Sequence, residues 1–398
     1  MSKKTLIETQ LENLLPRLTE IFASANINFL VWSWTSKPYL PTLNNIENDI
    51  NEAIKSWKEE NQVKWYKEYL EKVMIPNKNI VEQTFSKEIY KNEQGEEIKN
   101  KKNIPRNQKI DYEDTVNNYK YFLNTISKLI IDRKTTVLSK QVNIFTTNID
   151  IFLEKAFEDL ELNYNDGFIW RMNPIFDLSN FKKSIIQRSN HFDNRSEIPV
   201  FNLLKIHGSL TWKYKESELE KIDTETELDK KNKLKNNLDI YLSSDLSHFD
   251  NSLLTKTWSN FIEDYKKRLL VVNPEDSKFS ETILNKYYYE LLRSYSSELE
   301  RENSVLFVIG FSMADQHIQE ITKRVARSNP TLHIFIFCNS KDSKNSMEEK
   351  MEINNYLNIS VIAPDYTDET DKYNYDLETI TNEIFQKINF NRKKDETE

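Results

Sequence analysis

Polar side chains that could bind a ligand or take part in catalysis stand directly after several short apolar runs of this sequence. Four such segments stand out, and they are residues 32–36 (WSWTS), 146–150 (TTNID), 206–209 (IHGS) and 310–315 (GFSMAD). Each apolar run is typical of a buried strand, and in an open parallel sheet ligands collect at the carboxyl ends of the strands. We therefore regard these segments as the first candidates for function.

Taken one at a time, these segments also have purely structural interpretations. Thr147 and Asp150 could cap the helix that follows them. His207 and Gly208 could form a turn around a histidine with ordinary hydrogen bonds, and the segment up to Asp315 could be a loop that ends in a helix cap. Each segment on its own leaves both interpretations open.

The elements that would position these residues alternate between strands and helices. Short apolar runs predict strands at 27–31, 142–147, 200–206, 305–309, 333–338 and 359–363. Apolar residues at helical spacing predict helices at 5–25, about 44–72, 111–133, about 150–161, 315–327 and about 376–388. This alternation is typical of βαβ units, so we expect an α/β fold with a Rossmann-like parallel sheet flanked by helices.

We expect one domain over residues 1–390 and a polar tail over 391–398. Within the domain, the N-terminal helix at 5–25 is followed by insertions at about 44–134 and 214–268, and a C-terminal βαβ part covers 304–390. The insertions contain charged, polar stretches at 86–109 and 216–237, for which we expect solvated loops.

The composition narrows the classes of function. The 398 residues carry a net charge of -8, which argues against a broad basic surface for nucleic acid. No apolar run approaches the roughly 18 residues needed to cross a membrane, and the N-terminus is too polar for a signal peptide, so we expect a cytoplasmic protein. Cys338 is the only cysteine, which rules out an internal disulfide and a multi-cysteine zinc site, and we expect no metal.

Taken together and in this order, the segments resemble the sirtuin-like NAD-hydrolase domains of bacterial anti-phage defence systems. The motifs that carry the resemblance are Phe29–Val31, Phe145–Asp150, Lys205–Trp212, Val271–Pro274 and Phe307–His317. The resemblance spans roughly residues 25–340. Residues 144–155 and 201–213 look most similar to the sirtuin-like partner of HerA-like hexameric ATPases, which implies such an ATPase as a partner.

The resemblance implies that NAD is the substrate and that the bond between nicotinamide and ribose is cleaved through an oxocarbenium-like transition state. In that reaction Asn148 would hold a water and contact the nicotinamide amide, and His207 would act as general base. Asp150 would orient this machinery or stabilise developing positive charge. The residues implied in cofactor binding are Trp32, Ser33, Trp34, Thr35, Ser36, Thr147, Gly208, Ser209, Asn273, Gly310, Phe311, Ser312 and Asp315. We interpret His191, His248, His317 and His333 as structural or exposed.

Deacetylation is disfavoured because deacetylating sirtuins carry a zinc module built on four cysteines, which one cysteine cannot form. The charged segment 216–237 stands where that module would lie. Water is therefore the expected acceptor.

The first loop departs from the family pattern. Sirtuin-like domains place glycines there, because backbone N–H groups must approach the pyrophosphate, whereas this chain has Trp32 and Trp34 and only four glycines in all. Trp170 also stands where the resemblance leads us to expect glycine.

Three hypotheses account for the tryptophans. In the first, the domain has degenerated and survives as a scaffold. In the second, the indoles point into the core and the loop is rearranged. In the third, some or all of the three codons are UGA, translated as Trp where the natural residue is Gly. The abundance of Asn, Lys and Ile is typical of an AT-rich genome and led us to the third hypothesis.

The leading hypothesis for the whole chain is an oligomeric defence effector that consumes NAD once a partner ATPase or an infection signal releases it. The alternatives are a non-catalytic subunit that docks the ATPase and a module that senses NAD or ADP-ribose without turnover. We expect no membrane contact and no direct binding of nucleic acid.

Overall fold

The computed structural model describes residues 3–41, 52, 59–82, 108–133, 135, 137–215, 238–273, 285–310, 315–364 and 375–390. Within these residues the strands are β1 (Asn26–Val31), β2 (Gln141–Thr146), β3 (Tyr164–Asn165), β4 (Phe168–Ile169), β5 (Ile175–Phe176), β6 (Ile185–Arg188), β7 (Arg195–Ile198), β8 (Val200–Lys205), β9 (Trp212–Tyr214), β10 (Ile240–Leu242), β11 (Ser304–Ile309), β12 (His333–Phe337) and β13 (Ile359–Ile362).

The helices alternate with the longer strands, as the sequence predicts. They are α1 (Lys3–Ser24), α2 (Glu59–Tyr69), α3 (Ile75–Glu82), α4 (Gln108–Ile131), α5 (Phe152–Asp159), α6 (Trp258–Arg268), α7 (Lys286–Leu299), α8 (Gln316–Ser328), α9 (Lys341–Met351) and α10 (Leu377–Glu383). A π-helical turn at Leu70–Met74 joins α2 to α3, and a 3₁₀ turn at Ser33–Ser36 follows β1.

The central sheet has seven parallel strands in the order β13-β12-β11-β1-β2-β8-β3. On one side of β1 the next strands are β2 and β8, which follow it in the sequence. On the other side of β1 the strands are β11, β12 and β13, which come later in the sequence. Apart from the short edge strand β3, this is the Rossmann order. The predicted fold class, a parallel sheet flanked by helices, is confirmed.

Both faces of this sheet are covered, because the side chains of a strand alternate between the two faces. On β1, Phe29 packs on one face with Phe122 of α4 and with Phe307 of β11. Leu30 points to the opposite face and belongs to the cluster that includes Leu291 of α7. A central strand buried on both sides needs a largely apolar run, and four of the six residues in NINFLV are apolar.

The strands end in register, and this brings the segments that follow them together. Val31, the last residue of β1, pairs with Ile309 of β11 on one side and with Thr146 of β2 on the other. Thr146 in turn pairs with Lys205, the last residue of β8. The polar segments after these four strands therefore lie along one edge of the sheet.

The region between β2 and α7 contains structure that the sequence analysis missed. A small antiparallel sheet has the order β4-β5-β10-β9, and β6 and β7 form an exposed hairpin. The helices α6, α7 and α9 were also not predicted.

The predicted loops fall largely or wholly outside the described residues, at 83–107 and 216–237, as do the tail 391–398 and most of 42–58. Among the described residues, no helix has both the length and the apolar character required to cross a membrane.

Candidate active site

A cleft opens between the carboxyl ends of β1 and β11, at the point where the order of the strands in the sheet reverses. Its volume is about 1070 Å³, and its lining includes Trp34 and Thr35 from the turn after β1, Gly310 after β11, and Asn339 after β12. In an open α/β sheet such a switch point is the usual place for a ligand. This volume lies slightly above the range of about 300–1,000 Å³ found for ligand pockets.

Gly310 allows the end of β11 to approach the turn after β1 closely. Its φ is +73°, and a Cβ at this position would lie 3.2 Å from both Trp34 Cβ and Thr35 Cγ2. A side chain here would push the turn away from the strand, so glycine is required by the backbone.

The turn after β1 places its two tryptophans in different surroundings. Trp32 is 5% exposed and packs in the core with Leu30 and Phe145, whereas Trp34 is 37% exposed and lines the cleft. Lys37 Nζ lies 4.2 Å from the centre of the Trp34 ring. Neither tryptophan has a positive φ, so this backbone does not itself demand glycine at either position. For Trp32 this arrangement matches the hypothesis of an indole that points into the core.

Ser36, Asn148 and Asp150 form a buried chain of hydrogen bonds below the turn. The Ser36 hydroxyl donates to Asp150 Oδ2 at 2.6 Å and accepts from Asn148 Nδ2 at 3.2 Å. The backbone N–H of Asn148 donates to Thr146 Oγ1 at 3.0 Å. Hydrogen bonds thereby hold both the backbone and the side chain of Asn148 in place.

Tyr119 of α4 extends this network. Thr35 Oγ1 donates its proton to the carbonyl of Trp32 at 2.6 Å, so the Tyr119 hydroxyl, 2.6 Å away, must donate to Thr35. The same hydroxyl lies 3.1 Å from Ser36 Oγ. Burial raises the pKa of Tyr119, which keeps the phenol protonated and therefore a donor.

Asn148 Oδ1 is the open end of the network. It is buried, and it accepts no hydrogen bond from any residue that the structure describes. A buried acceptor without a donor costs about 1–3 kcal/mol, so the network holds the Asn148 amide in an orientation that suits an incoming donor. An N–H or O–H group of a ligand, or a water, meets that requirement.

Burial raises the pKa of Asp150, and the charge of Lys205 opposes this shift. Lys205 Nζ donates to the backbone carbonyl of Asp150 and forms an ion pair of 2.6 Å with Glu154. Asp150 also accepts from the backbone N–H of Phe152 at 3.3 Å, so it takes part in the start of α5 as well. Its contacts are those of a residue that positions Ser36 and, through it, Asn148.

His207 follows β8 as Asn148 follows β2, two residues beyond the paired residues Lys205 and Thr146. Both side chains are buried, and they come from adjacent strands. His207 Nε2 lies 4.0 Å from Asp315 Oδ2, and its ring centre lies 5.8 Å from that of His317.

Gly208 fixes the backbone beside this histidine. Its φ is +79°, and a Cβ here would lie 2.2 Å from the carbonyl oxygen of Leu270. The absence of a side chain lets residues 270–273 pass directly alongside, where the N–H of Val272 donates to the His207 carbonyl at 2.8 Å. Asn273, at the end of this segment, accepts a hydrogen bond of 2.9 Å from Tyr265.

The other predicted residues lie at varied depths. Ser209 is fully buried, and its hydroxyl bonds to that of Thr211 at 2.9 Å, so its hydroxyl is engaged inside the turn. Ser33 and Thr147 are half-buried. Phe311 and Ser312 lie outside the described residues.

The sequence analysis did not identify Tyr119, Lys205, Glu154 or His317 as members of the site. Tyr119 occupies an apolar helix position outside the motifs, and Lys205, although it begins the motif Lys205–Trp212, is the last residue of a buried strand. Only their contacts in the fold reveal them.

Trp170 lies away from this site, after β4. It is 72% exposed and has a φ of +73°. The left-handed region costs an ordinary residue about 1–2 kcal/mol, so the backbone at this tryptophan does have the form that glycine prefers.

Comparisons with known proteins bear on the family of the chain. A family model described as "SIR2-like domain" matches residues 142–362, which is more than half of the chain. One solved structure, reported as "Structural Basis for the Mechanism and Regulation of Sir2 Enzymes", shares 10% identity over 96% of this chain and 99% of that chain, with a TM-score of 0.35. A search of curated proteins found no match.

Proposed function

This chain belongs to the family of SIR2-like domains, and from that premise we propose that it hydrolyses NAD to nicotinamide and ADP-ribose. The observation that carries the proposal is the buried amide of Asn148. Its Nδ2 is held by Ser36, Ser36 is held by Asp150, and its Oδ1 accepts no bond from the described residues. Such an acceptor suits a water or the amide of nicotinamide.

In the proposed reaction, the bond between the nicotinamide nitrogen and ribose C1′ breaks, and its electron pair stays with nicotinamide. The oxygen of a water bonds to C1′, and the proton of that water passes to His207. Asn148 orients the water, because an amide offers both a donor and an acceptor. A neutral histidine is a suitable base, since its ordinary pKa is near 6.5.

The remainder of NAD requires a cleft beside these residues. The cleft at the switch point borders the site through Thr35, which lines it and also bonds to Tyr119. Gly310 and the turn at Ser33–Ser36 bring backbone close to this space, as a pyrophosphate requires. We therefore assign the ADP-ribose part to this cleft.

We propose hydrolysis rather than deacetylation because the chain has one cysteine and cannot build the four-cysteine zinc module. Cys338, the cysteine present, is buried, and burial raises its thiol pKa to about 12.

We further propose that NAD depletion is an anti-phage defence and that a HerA-like ATPase is the partner. The support is the resemblance of residues 144–155 and 201–213 to the partner of such ATPases. Co-expression with a HerA-like ATPase during phage infection tests this step, with cellular NAD as the readout. NAD that stays constant with both proteins present contradicts it.

A second candidate function is a subunit that has lost catalysis. It is favoured by Trp34, whose indole lines the cleft at a place where a dinucleotide needs bare backbone. Binding of NAD or ADP-ribose without turnover is the intermediate case, and it predicts saturable binding with no product.

Incubation of the purified chain with NAD, with and without the ATPase, and measurement of released nicotinamide test the proposal. We expect release that Asn148→Ala and His207→Ala abolish. His333→Ala is the matched control, because His333 begins β12 at the opposite edge of the sheet, and it should retain activity. If neither the original chain nor a folded Trp34→Gly variant, in which the indole that lines the cleft is removed, releases nicotinamide, the hydrolase proposal is wrong.

A further inference from the structure

Three metal-binding side chains converge next to the candidate active site. His207 follows β8, whereas Asp315 and His317 stand at the start of α8. One ligand atom from each, two imidazole nitrogens and a carboxylate oxygen, can be chosen so that all lie within 4.8 Å of one another. The fold thus brings together residues that are more than 100 positions apart.

The cluster is shielded from solvent. The side chains of His207 and Asp315 are 8% and 4% exposed, and His317 is half-buried. Asp315 is the N-cap residue of α8, a position where an aspartate usually accepts a hydrogen bond from the first turn. Its side chain makes no such bond here, and it faces His207 at 4.0 Å instead.

The donor set selects among cations. Two imidazoles and one carboxylate form a set found in zinc enzymes and in non-haem iron sites, where further coordination positions stay open for water. Magnesium and calcium prefer oxygen ligands alone. With one cysteine, the chain cannot form a multi-cysteine zinc site. A site of two imidazoles and one carboxylate needs no cysteine, so it remains open to this chain.

We propose that His207, Asp315 and His317 bind one divalent transition-metal ion of the zinc type. Tetrahedral coordination at about 2.1 Å requires ligand atoms about 3.4 Å apart, so the cluster has to contract by about 1 Å. We expect rotation of the side chains about χ1 and χ2 to supply that movement.

The binding has a consequence for catalysis, and this consequence rests on the proposed function. A lone pair of His207 that coordinates a metal is not available to accept a proton. The metal-bound protein is therefore held inactive, and removal of the metal releases the base.

Direct measurement of binding tests the site independently of NAD hydrolysis. The untagged full chain is treated with a chelator, dialysed against Zn²⁺, and analysed for bound metal per chain. Co²⁺ is a second probe, because its visible spectrum reports coordination and would show a sulfur ligand if Cys338 took part. We expect one ion per chain and a cobalt spectrum without a sulfur band.

Variants decide whether these residues form the site. His317→Gln and Asp315→Asn should each weaken Zn²⁺ binding by at least about 10-fold, since even changes behind the first ligands often cost that much. His333→Ala is the control and should bind as the unmodified chain does, and melting temperatures check that each variant is folded. The proposal is overturned if the unmodified chain does not bind one ion per chain. It is also overturned if His317→Gln and Asp315→Asn bind Zn²⁺ as tightly as the unmodified chain does.

Discussion

Ser36 donates a hydrogen bond of 2.6 Å to Asp150 while its oxygen accepts one of 3.2 Å from Asn148. In the proposed reaction the Asp150 carboxylate therefore acts by positioning Ser36 and, through it, Asn148. We predict that Asp150→Ala lowers kcat for NAD hydrolysis by about 100-fold, the scale expected when a reacting group is displaced by about 1 Å. Asp150→Asn, which keeps an acceptor, should retain activity within about 10-fold of the original. Steady-state kinetics measure both, and equal loss in the two variants would show that the charge itself is needed.

Tyr119 connects the helical insertion to the same network. We predict that Tyr119→Phe lowers kcat by about 10-fold and leaves KM unchanged, because Thr35 loses the donor that helps to fix the turn. The loss of stability should be about 1 kcal/mol. Tyr121→Phe is the matched control on the same helix, since Tyr121 bonds to Asn382 instead. Equal kinetics for the two variants would show that Tyr119, and with it the helical insertion, does not support the active site.

The sequence predicts the parallel sheet well because buried central strands require apolar runs such as NINFLV and SVLFVI. It also predicts that Asn148, His207 and Gly310 lie along one edge, because the strands that carry them end together. It does not predict the small antiparallel sheet, whose strands are two or three residues long. Periodicity cannot be recognised over so few residues.

The contacts within the site are a different matter. His317 follows Asp315 by two residues at the start of a helix, where the sequence gives no reason to connect it with His207. The connection depends on the start of α8 lying next to the residue that follows β8 by two positions, a tertiary relationship between chain segments far apart in sequence. For the same reason the depth of Ser209, fully buried although it follows the histidine closely, is known only from the fold.

Gly208 and Gly310 both have positive φ, but their surroundings differ. Gly208→Ala places a Cβ 2.2 Å from a backbone oxygen, whereas Gly310→Ala meets side-chain atoms at 3.2 Å. We predict a loss of about 3 kcal/mol or more in the free energy of unfolding for Gly208→Ala, and about 1–2 kcal/mol for Gly310→Ala. Denaturant unfolding measures both, and the reverse order would contradict the close approach of residues 270–273.

His248 is predicted to make stability depend on pH. Burial, together with the nearby charges of Lys213, Lys78 and Arg268, lowers its pKa to about 4, and Asp245 opposes this shift. Because the folded pKa lies below the unfolded value of 6.5, the unfolded chain gains a proton first as the pH falls. Stability is therefore complete above about pH 6.5 and decreases toward pH 4, by up to about 3 kcal/mol. Unfolding of wild type and His248→Gln across this range measures the effect. The variant should lose less stability, and equal loss would exclude His248 as the cause.

Trp170 and Trp32 give opposite predictions for substitution by glycine, and together they test the hypothesis of misread codons. Trp170 is exposed and has a φ of +73°, so Trp170→Gly should raise the free energy of unfolding by about 1 kcal/mol. Trp32 is buried with a φ of -126°, so Trp32→Gly should lower it by about 3–5 kcal/mol. Denaturant unfolding of the two variants measures both changes, and a loss of stability in Trp170→Gly would contradict the argument from backbone conformation. The codons then decide the origin of the residues. UGA at position 170 supports a natural glycine there, whereas UGG at all three tryptophans would exclude the hypothesis of misread codons.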